Sequence, residues 1–297
     1  MVSTMRIRRG TGETIFGGLN AALMIFLALL TAYPLLYVLF ASLSRPEALI
    51  SHTGVLLAPL GFQVGSYGLV FQNPNILSGY VNTLIIVVSG VALNILLTAL
   101  GGYFLSRKGV PLRNLVMFFI VFTMFFSGGL VPFYLAVRGF GIDNTLLALI
   151  LPVAVNTFNM IIMRTAFNAV PDAMEESATI DGASHFVVLF RIYIPLALPT
   201  IAVLVLYYGV GHWNAWFNAM IFLRKRELYP LQLVLREILI QNDTTFMVQN
   251  VATGDEAMIR ETVKYAVIVV ATAPILALYP FLQKYFVKGV MVGALKE

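Results

Sequence analysis

The 297-residue chain is 59% apolar and only 11% charged, against roughly 45–50% and 25% in soluble domains, so it reads as a membrane protein. Its formal net charge of +5 is small and scattered; basic residues at the cytoplasmic ends of spans account for most of it, which leaves no basis for a nucleic-acid partner. With no cysteine, disulfides, thiolate chemistry and any cysteine-ligated metal or cluster are excluded.

In chain order, residues 1–14 carry Arg6, Arg8 and Arg9 and are expected to form a cytoplasmic lead. The apolar run Ile15–Leu43 is too long for the core of a cleaved signal peptide and long enough to span with tilt, which predicts an uncleaved first span. The segment 44–78 holds Pro46, Pro59, Pro74 and many glycines, as suits an outer loop with one interfacial helix. Further spans are predicted over Gly79–Leu105, Leu115–Val137, Thr145–Met163, Leu196–Leu223 and Lys264–Phe286, each near the roughly 20 residues that a bilayer core requires. The expected fold is therefore an all-α membrane domain of six transmembrane helices over 15–286, with a second long outer loop at 224–261 and a cytoplasmic tail at 287–297.

Basic residues set the orientation. With the N-terminus inside, eleven of them lie on the cytoplasmic side: Arg6, Arg8, Arg9, Arg107, Lys108, Arg113, Arg164, Arg191, Lys284, Lys288 and Lys296. Eight lie outside: Arg45, Arg138, Arg224, Lys225, Arg226, Arg236, Arg260 and Lys264. The short segments near span ends carry the argument, and the Arg224-Lys225-Arg226 cluster is an exception to the positive-inside trend.

Between the fourth and fifth spans lies the one charged block wedged between long apolar runs, Pro171 to Pro195. Pro171 suits the first position of a helix, and Asp172, Glu175 and Glu176 follow in its first turns, facing the positive end of the dipole. Gly182, after Asp181, can take a positive φ and end that helix. A second short helix over about Ser184–Ile192 then leads into the next span at Pro195. The result is an acidic knob at the membrane surface that another protein could grip.

The residues here resemble a known signature. Glu176-Ser177-Ala178, three residues, Gly182, nine residues, then Ile192-Tyr193-Ile194-Pro195 is similar to the "EAA" pattern of ABC-importer permeases, departing from it at Ser177 and Ile194. The context E-E-S-A-T-I-D-G-A-S narrows the resemblance to sugar-importing permeases like the second membrane subunit of the maltose importer. The stretches F-F-S-G-G-L-V-P-F-Y, Y-P-L-Q-L-V-L-R and F-V-K-G-V-M-V-G-A-L-K resemble the branch that takes up oligosaccharides cut from polysaccharides. The resemblance implies that the knob docks in a cleft of an ATP-binding subunit, with Glu176 pairing with a basic residue there and Gly182 as the turn glycine. Ser177 lies within the signature, Ala178, Asp181 and Ala183 would line the contact, and Glu175 lies just before it. It also implies a type I importer permease fold in the bacterial cell membrane, both termini cytoplasmic. The implied partners are a second, homologous permease subunit in a heterodimer, two ATP-binding subunits and an extracytoplasmic solute-binding protein. On the same resemblance the chain itself is expected to bind no cofactor and to be no enzyme, with ATP and Mg used by the ATPase.

None of the fourteen acidic residues falls mid-span, which disfavours a secondary carrier, since ion-driven carriers use ionisable groups at depth. No G-x-x-x-x-G-K-[ST] motif is present, so phosphate is not cradled by that route. A membrane-embedded enzyme is disfavoured by the lack of a nucleophile-base pair or a metal cluster in the spans; a permease for peptides or amino acids is the nearer alternative to a carbohydrate one. Trp213, Asn214 and Trp216 either stack on and hydrogen-bond a sugar or belong to the interfacial aromatic belt. Asn82, Asn156 and Asn159 are polar residues within spans; the last two, three apart on one helix face, either line the translocation path or make interhelical hydrogen bonds. Ser127-Gly128-Gly129 provides either a local break or close packing in the third span, and packing is the commoner role. The loop 224–261 either contacts the solute-binding protein or is plain surface.

Overall fold

The apolar first span folds as one long helix, α1 (Thr11–Ser42), opening four residues before the predicted start. Glu13 reaches back to accept the Gly10 N–H at 3.2 Å, satisfying a donor that the helix start leaves open. This is a computed structural model, which describes residues 10–240, 261–277 and 280; these are helical, with no strand among them.

Two units divide the chain: residues up to Gln72 together with 244–270, and Asn73 to Asp243 together with the chain from Ala271. In the first unit α1 is followed by α2 (Pro46–Ser51) and α3 (Gly65–Gln72), so the loop 44–78 holds two short helices where one was expected. Ala41, Leu49 and Leu56 form its small core, with Tyr37 and Tyr265 packed against them. Ser44 pins the intervening loop by donating to Phe40 O at 2.7 Å and accepting from Leu60 N at 3.0 Å.

The second unit is built around α4 (Pro74–Ser106), which starts with Pro74 in its first turn and the Asn73 side chain accepting the Asn75 N–H. Its remaining helices are α5 (Arg113–Phe125), α6 (Leu130–Gly139), α7 (Leu147–Ile150), α8 (Thr157–Asn168), α9 (Asp172–Ile180), α10 (His185–Val188), α11 (Ile194–Leu196), α12 (Leu198–Trp213), α13 (Phe217–Phe222) and α14 (Leu231–Ile240). Glycines let α4 serve as the axle. A methyl group at Gly90 would sit 2.5 Å from His212 Nε2 on α12, and one at Gly101 2.7 Å from Met160 Cε on α8. Gly79, Gly90 and Gly101 are eleven residues apart, about three turns, so they return to nearly one face, and small residues there admit close helix approach.

The third and fourth predicted spans are bent, not straight, and a further bend stands where the chain enters the fifth. α5 and α6 meet at 119°, Leu147–Val153 and α8 at 52°, and His185–Leu196 and α12 at 85°. At Ser127-Gly128-Gly129 the outcome is a break, with Gly129 at φ 85°, in place of the packing role. In the fourth span Pro152 lacks the N–H that would continue α7, and Asn156 caps a new helix by accepting the Asn159 N–H at 3.0 Å. Before Pro195 the helix widens into a π-turn over Leu189–Tyr193, the kind of insertion that relieves the clash a proline ring makes with the preceding turn. Among the described residues, α1 and α4 are long and apolar enough to cross a membrane, and the count reaches five if each bent pair is one span. The last predicted span appears as α15 over 261–277; most of its remainder to Phe286 lies outside the described residues.

Candidate functional site

The acidic knob is two short helices joined by a glycine turn. α9 opens after Pro171, which is the capping residue and not the first helical one, and carries Asp172 and Glu175 in its first turn. At its end Gly182 takes φ +77°. The Ala183 N–H bonds Ala178 O at 2.9 Å and the Gly182 N–H bonds Thr179 O at 3.0 Å, the paired closure of a Schellman motif that needs a left-handed residue at Gly182. Ser184 then caps α10 through the Val187 N–H.

The mount is aromatic and charged. Tyr193 is fully buried and Tyr103 nearly so, within a core shared by α4, α8, α10 and α12 that includes Phe167 and Leu189. Phe167 and Tyr193 meet edge-on at 5.5 Å. Arg107, at the end of α4, lies over the Tyr193 ring at 4.3 Å and the Tyr103 ring at 5.1 Å, favourable cation–π positions. Glu175 forms an ion pair with this guanidinium and accepts hydrogen bonds from Tyr103 and Tyr193, each at 3.3 Å. His185 Nδ1 lies 3.4 Å from the Tyr103 hydroxyl. At the edge, Lys108 pairs with Asp172; its hydrogen bond and then its charge hold that carboxyl below the usual carboxylate range.

The signature residues therefore divide between two faces. Glu175 is turned inward, its carboxylate engaged by Arg107, and Ala178 and Ala183 are half-buried against the same core. Glu176, Ser177, Asp181 and Gly182 face outward. They share that surface with large apolar side chains: Ile180 is 86% exposed and Phe186 67%, more than an isolated water-facing knob of this size would carry without a partner.

The path candidates divide differently. Asn82 is buried on α4, and its amide donates to Glu227 O at 2.7 Å and Tyr229 O at 3.2 Å, anchoring the following loop. Asn156 caps α8 and Asn159 is buried one turn in, so their spacing is that of a cap and its third residue. Trp213 is 6% exposed, edge-on to Tyr80, with its Nε1 unpartnered among the described residues. Asn214 ends α12 and is exposed. Trp216 is 38% exposed, with Arg236 over its ring at 5.0 Å and Phe217 edge-on to it.

The broken fourth span is held by polar side chains. Asn94 donates to Val153 O and Ala154 O, both at 2.8 Å, and accepts from His212 Nε2 at 2.7 Å, which puts the proton of that ring on Nε2. Tyr208 receives the Asn156 N–H at 3.3 Å and pairs with Thr98 at 2.7 Å. Backbone groups freed by a break at membrane depth must find such partners. The third-span break opens instead on a pocket of about 490 Å³ lined by Ser127, Gly128, Gly129, Leu130, Phe133, Phe217 and Asn218.

Residues 99–292 match the profile of the family described as binding-protein-dependent transport system inner membrane component. The chain belongs to that family. Two relatives in Bacillus subtilis (strain 168) share this permease sequence over nearly their whole length. The protein named LplC is 41% identical over 268 residues, covering 90% of each chain. The polygalacturonan/rhamnogalacturonan transport system permease protein YtcP is 37% identical over 287 residues, covering 95% of this chain and 98% of its own. Among solved structures, a chain from a bacterial ABC transporter involved in import of the acidic polysaccharide alginate superposes with a TM-score of 0.86 at 32% identity, covering 94% of this permease and 99% of that chain.

Sequence reasoning missed the mount. Arg107 was read only as a positive-inside marker, Tyr103 as a span residue and Tyr193 as a position of the signature. The available signal was Glu175 itself, a second glutamate just ahead of the signature with its own inward-facing partners.

Proposed function

We propose that this chain is a membrane-spanning permease subunit of an ATP-driven importer that moves a carbohydrate, an oligosaccharide derived from a polysaccharide, into the cell by alternating access. The observation that carries the reading is the knob: an outward face of Glu176, Ser177, Asp181 and exposed apolar groups, closed by the Gly182 turn and mounted through Glu175 on the transmembrane core. A separate ATP-binding subunit receives that face, with Glu176 offered to a basic residue, and ATP and Mg act there and not on this chain. Closure of the paired ATPases pushes the knob; Arg107 and the Tyr103–Tyr193 core pass the push to α4, around which α8 and α12 are packed. The solute-binding protein delivers sugar on the opposite side, to the predicted loop 224–261, of which 241–260 lie outside the described residues, and a second, homologous permease subunit completes the path. Both termini are cytoplasmic in this arrangement, with 1–14 as lead, 15–286 as permease domain and 287–297 as tail. The substrate class is supported by the polysaccharide-linked cargo named for YtcP and for the alginate importer.

The test is reconstitution of the complete transporter in proteoliposomes. Sugar-loaded binding protein raises ATP hydrolysis and sugar uptake in the wild type, and Glu176→Ala or Gly182→Pro abolishes both while leaving membrane insertion intact. Unchanged hydrolysis and uptake in Gly182→Pro would refute the docking role.

A further inference from the structure

The Arg224-Lys225-Arg226 cluster runs against the positive-inside trend, and in the fold it meets a second basic position. Asn144 Oδ1 accepts the backbone N–H groups of Arg224 and Lys225 at 2.9 and 3.1 Å, and the Asn144 N–H bonds Phe222 O. The connector that holds Asn144 is tied back to the end of α6, where the Gly141 N–H bonds Arg138 O at 3.0 Å. Two loops expected on the same outer side are therefore one surface, with Arg138, Arg224 and Lys225 exposed on it. The acidic residues of these segments are Asp143 and Glu227, and neither forms an ion pair with the three cations among the described residues; Arg226 is held by Glu237 at 3.0 Å. Like charges held together repel unless something anionic answers them.

Beside these cations is a cleft of about 460 Å³ whose lining includes Phe133, Val137, Phe140, Ile142, Leu151 and Pro152 and holds no polar side chain. Arg138 falls in the chain between the lining residues Val137 and Phe140, and Ile142 is two residues from Asn144. Phe222, two residues before Arg224, shares a core with Val137, against which Phe133 and Ile142 pack. The cations thus border the cleft without lining it. A sugar would find no partner for its hydroxyls in such a lining, whereas a hydrocarbon chain needs none. Phosphate is the anion that arginine and lysine bind best in this setting, and basic clusters beside membrane-spanning helices hold anionic lipid headgroups.

We propose that this surface binds an anionic phospholipid: Arg138, Arg224 and Lys225 hold its phosphate, and one acyl chain fills the cleft beside the Leu151–Pro152 break. The site is independent of what the permease carries. The complete transporter, stripped of lipid in detergent, is titrated with phosphatidylglycerol, with phosphatidylcholine of the same chains and with glycerol phosphate, reading lipid retained per complex and the thermal midpoint. Phosphatidylglycerol is expected to bind more tightly than phosphatidylcholine and to raise the midpoint more, and glycerol phosphate to do neither. Arg138→Gln and Arg224→Gln/Lys225→Gln are expected to weaken phosphatidylglycerol roughly fivefold per cation removed and to leave phosphatidylcholine unchanged. Ala136→Phe, which fills the cleft, is expected to lower retention of both lipids. Equal affinity for the two lipids overturns the proposal, as does glycerol phosphate binding as tightly as lipid, which would make this a site for a soluble anion. Unchanged phosphatidylglycerol affinity in the charge variants also overturns it; if those variants lose stimulation of ATP hydrolysis by the binding protein instead, the surface belongs to that partner.

Discussion

Glu175→Gln removes one charge from the mount and leaves its shape. The carboxylate is one-fifth exposed and Arg107 about one-tenth, so the pair is shielded, and removing one partner strands a buried guanidinium. Breaking such pairs costs about 3–5 kcal/mol; glutamine retains acceptors for Tyr103 and Tyr193, and the residual exposure softens the loss, which leaves roughly 2–3 kcal/mol. At 1.4 kcal/mol per tenfold, the ratio of seated to unseated knob falls about 30- to 150-fold. Because Glu176 and the Gly182 turn are untouched, ATPase subunits still dock and hydrolyse; what is lost is transmission. The assay is sugar molecules moved per ATP hydrolysed in proteoliposomes, expected to drop sharply in Glu175→Gln and in Arg107→Gln, with partial recovery in the Glu175→Arg/Arg107→Glu exchange. A wild-type transport ratio in Glu175→Gln, with basal hydrolysis intact, would refute the mount as the transmitting element.

Gly182→Ala places a side chain at φ +77°, at a cost of roughly 1–2 kcal/mol, and is expected to weaken stimulated hydrolysis less than Gly182→Pro, which also removes the N–H bonded to Thr179 O. Gly90→Ala forces a methyl group against the His212 ring; overpacking of this kind costs about 1–3 kcal/mol and should lower the thermal midpoint in detergent, whereas an unchanged midpoint would show that α4 and α12 can separate freely. Asn94→Ala leaves Val153 O and Ala154 O without their donor, and should destabilise the fold by about 1–3 kcal/mol while Asn159→Ala costs less. Asp172 has its folded-state pKa depressed by Lys108, so its stabilising contribution is complete above the unfolded value of 3.8 and disappears as pH falls through the lower folded value. Lys108→Gln should leave the shape of the stability profile unchanged between about pH 5 and 8 and lessen the acid-side loss below it; an altered slope near neutrality would contradict the assignment.

Local features were legible in the sequence and tertiary ones were not. Gly182 could be placed from spacing because a Schellman turn is fixed by a few consecutive residues, and the body of α4 from Gly79 because an uninterrupted apolar run needs no outside help, while its opening turns from Pro74 were read as loop. The bends in the other spans depend on remote partners: the gap before α8 persists because Asn94 and Tyr208 satisfy its freed backbone groups. The capping role of Asn156 was not read because asparagines three apart fit both a helix face and a cap, and Pro152 just upstream was the cue for the cap. The inward turn of Glu175 depends on Arg107, far away in the chain, and no periodicity within the knob reveals which of two neighbouring glutamates faces the core.

Since the chain contains no cysteine, Ser177→Cys creates a single thiol on the outward face of the knob, beside Glu176. In intact cells this thiol is expected to resist a membrane-impermeant maleimide, to react once the membrane is opened, and to cross-link to the ATP-binding subunit with a yield that changes on adding nucleotide. Labelling from outside in intact cells, or no adduct with that subunit in either nucleotide state, would contradict the claim that this knob is where the importer receives its power stroke.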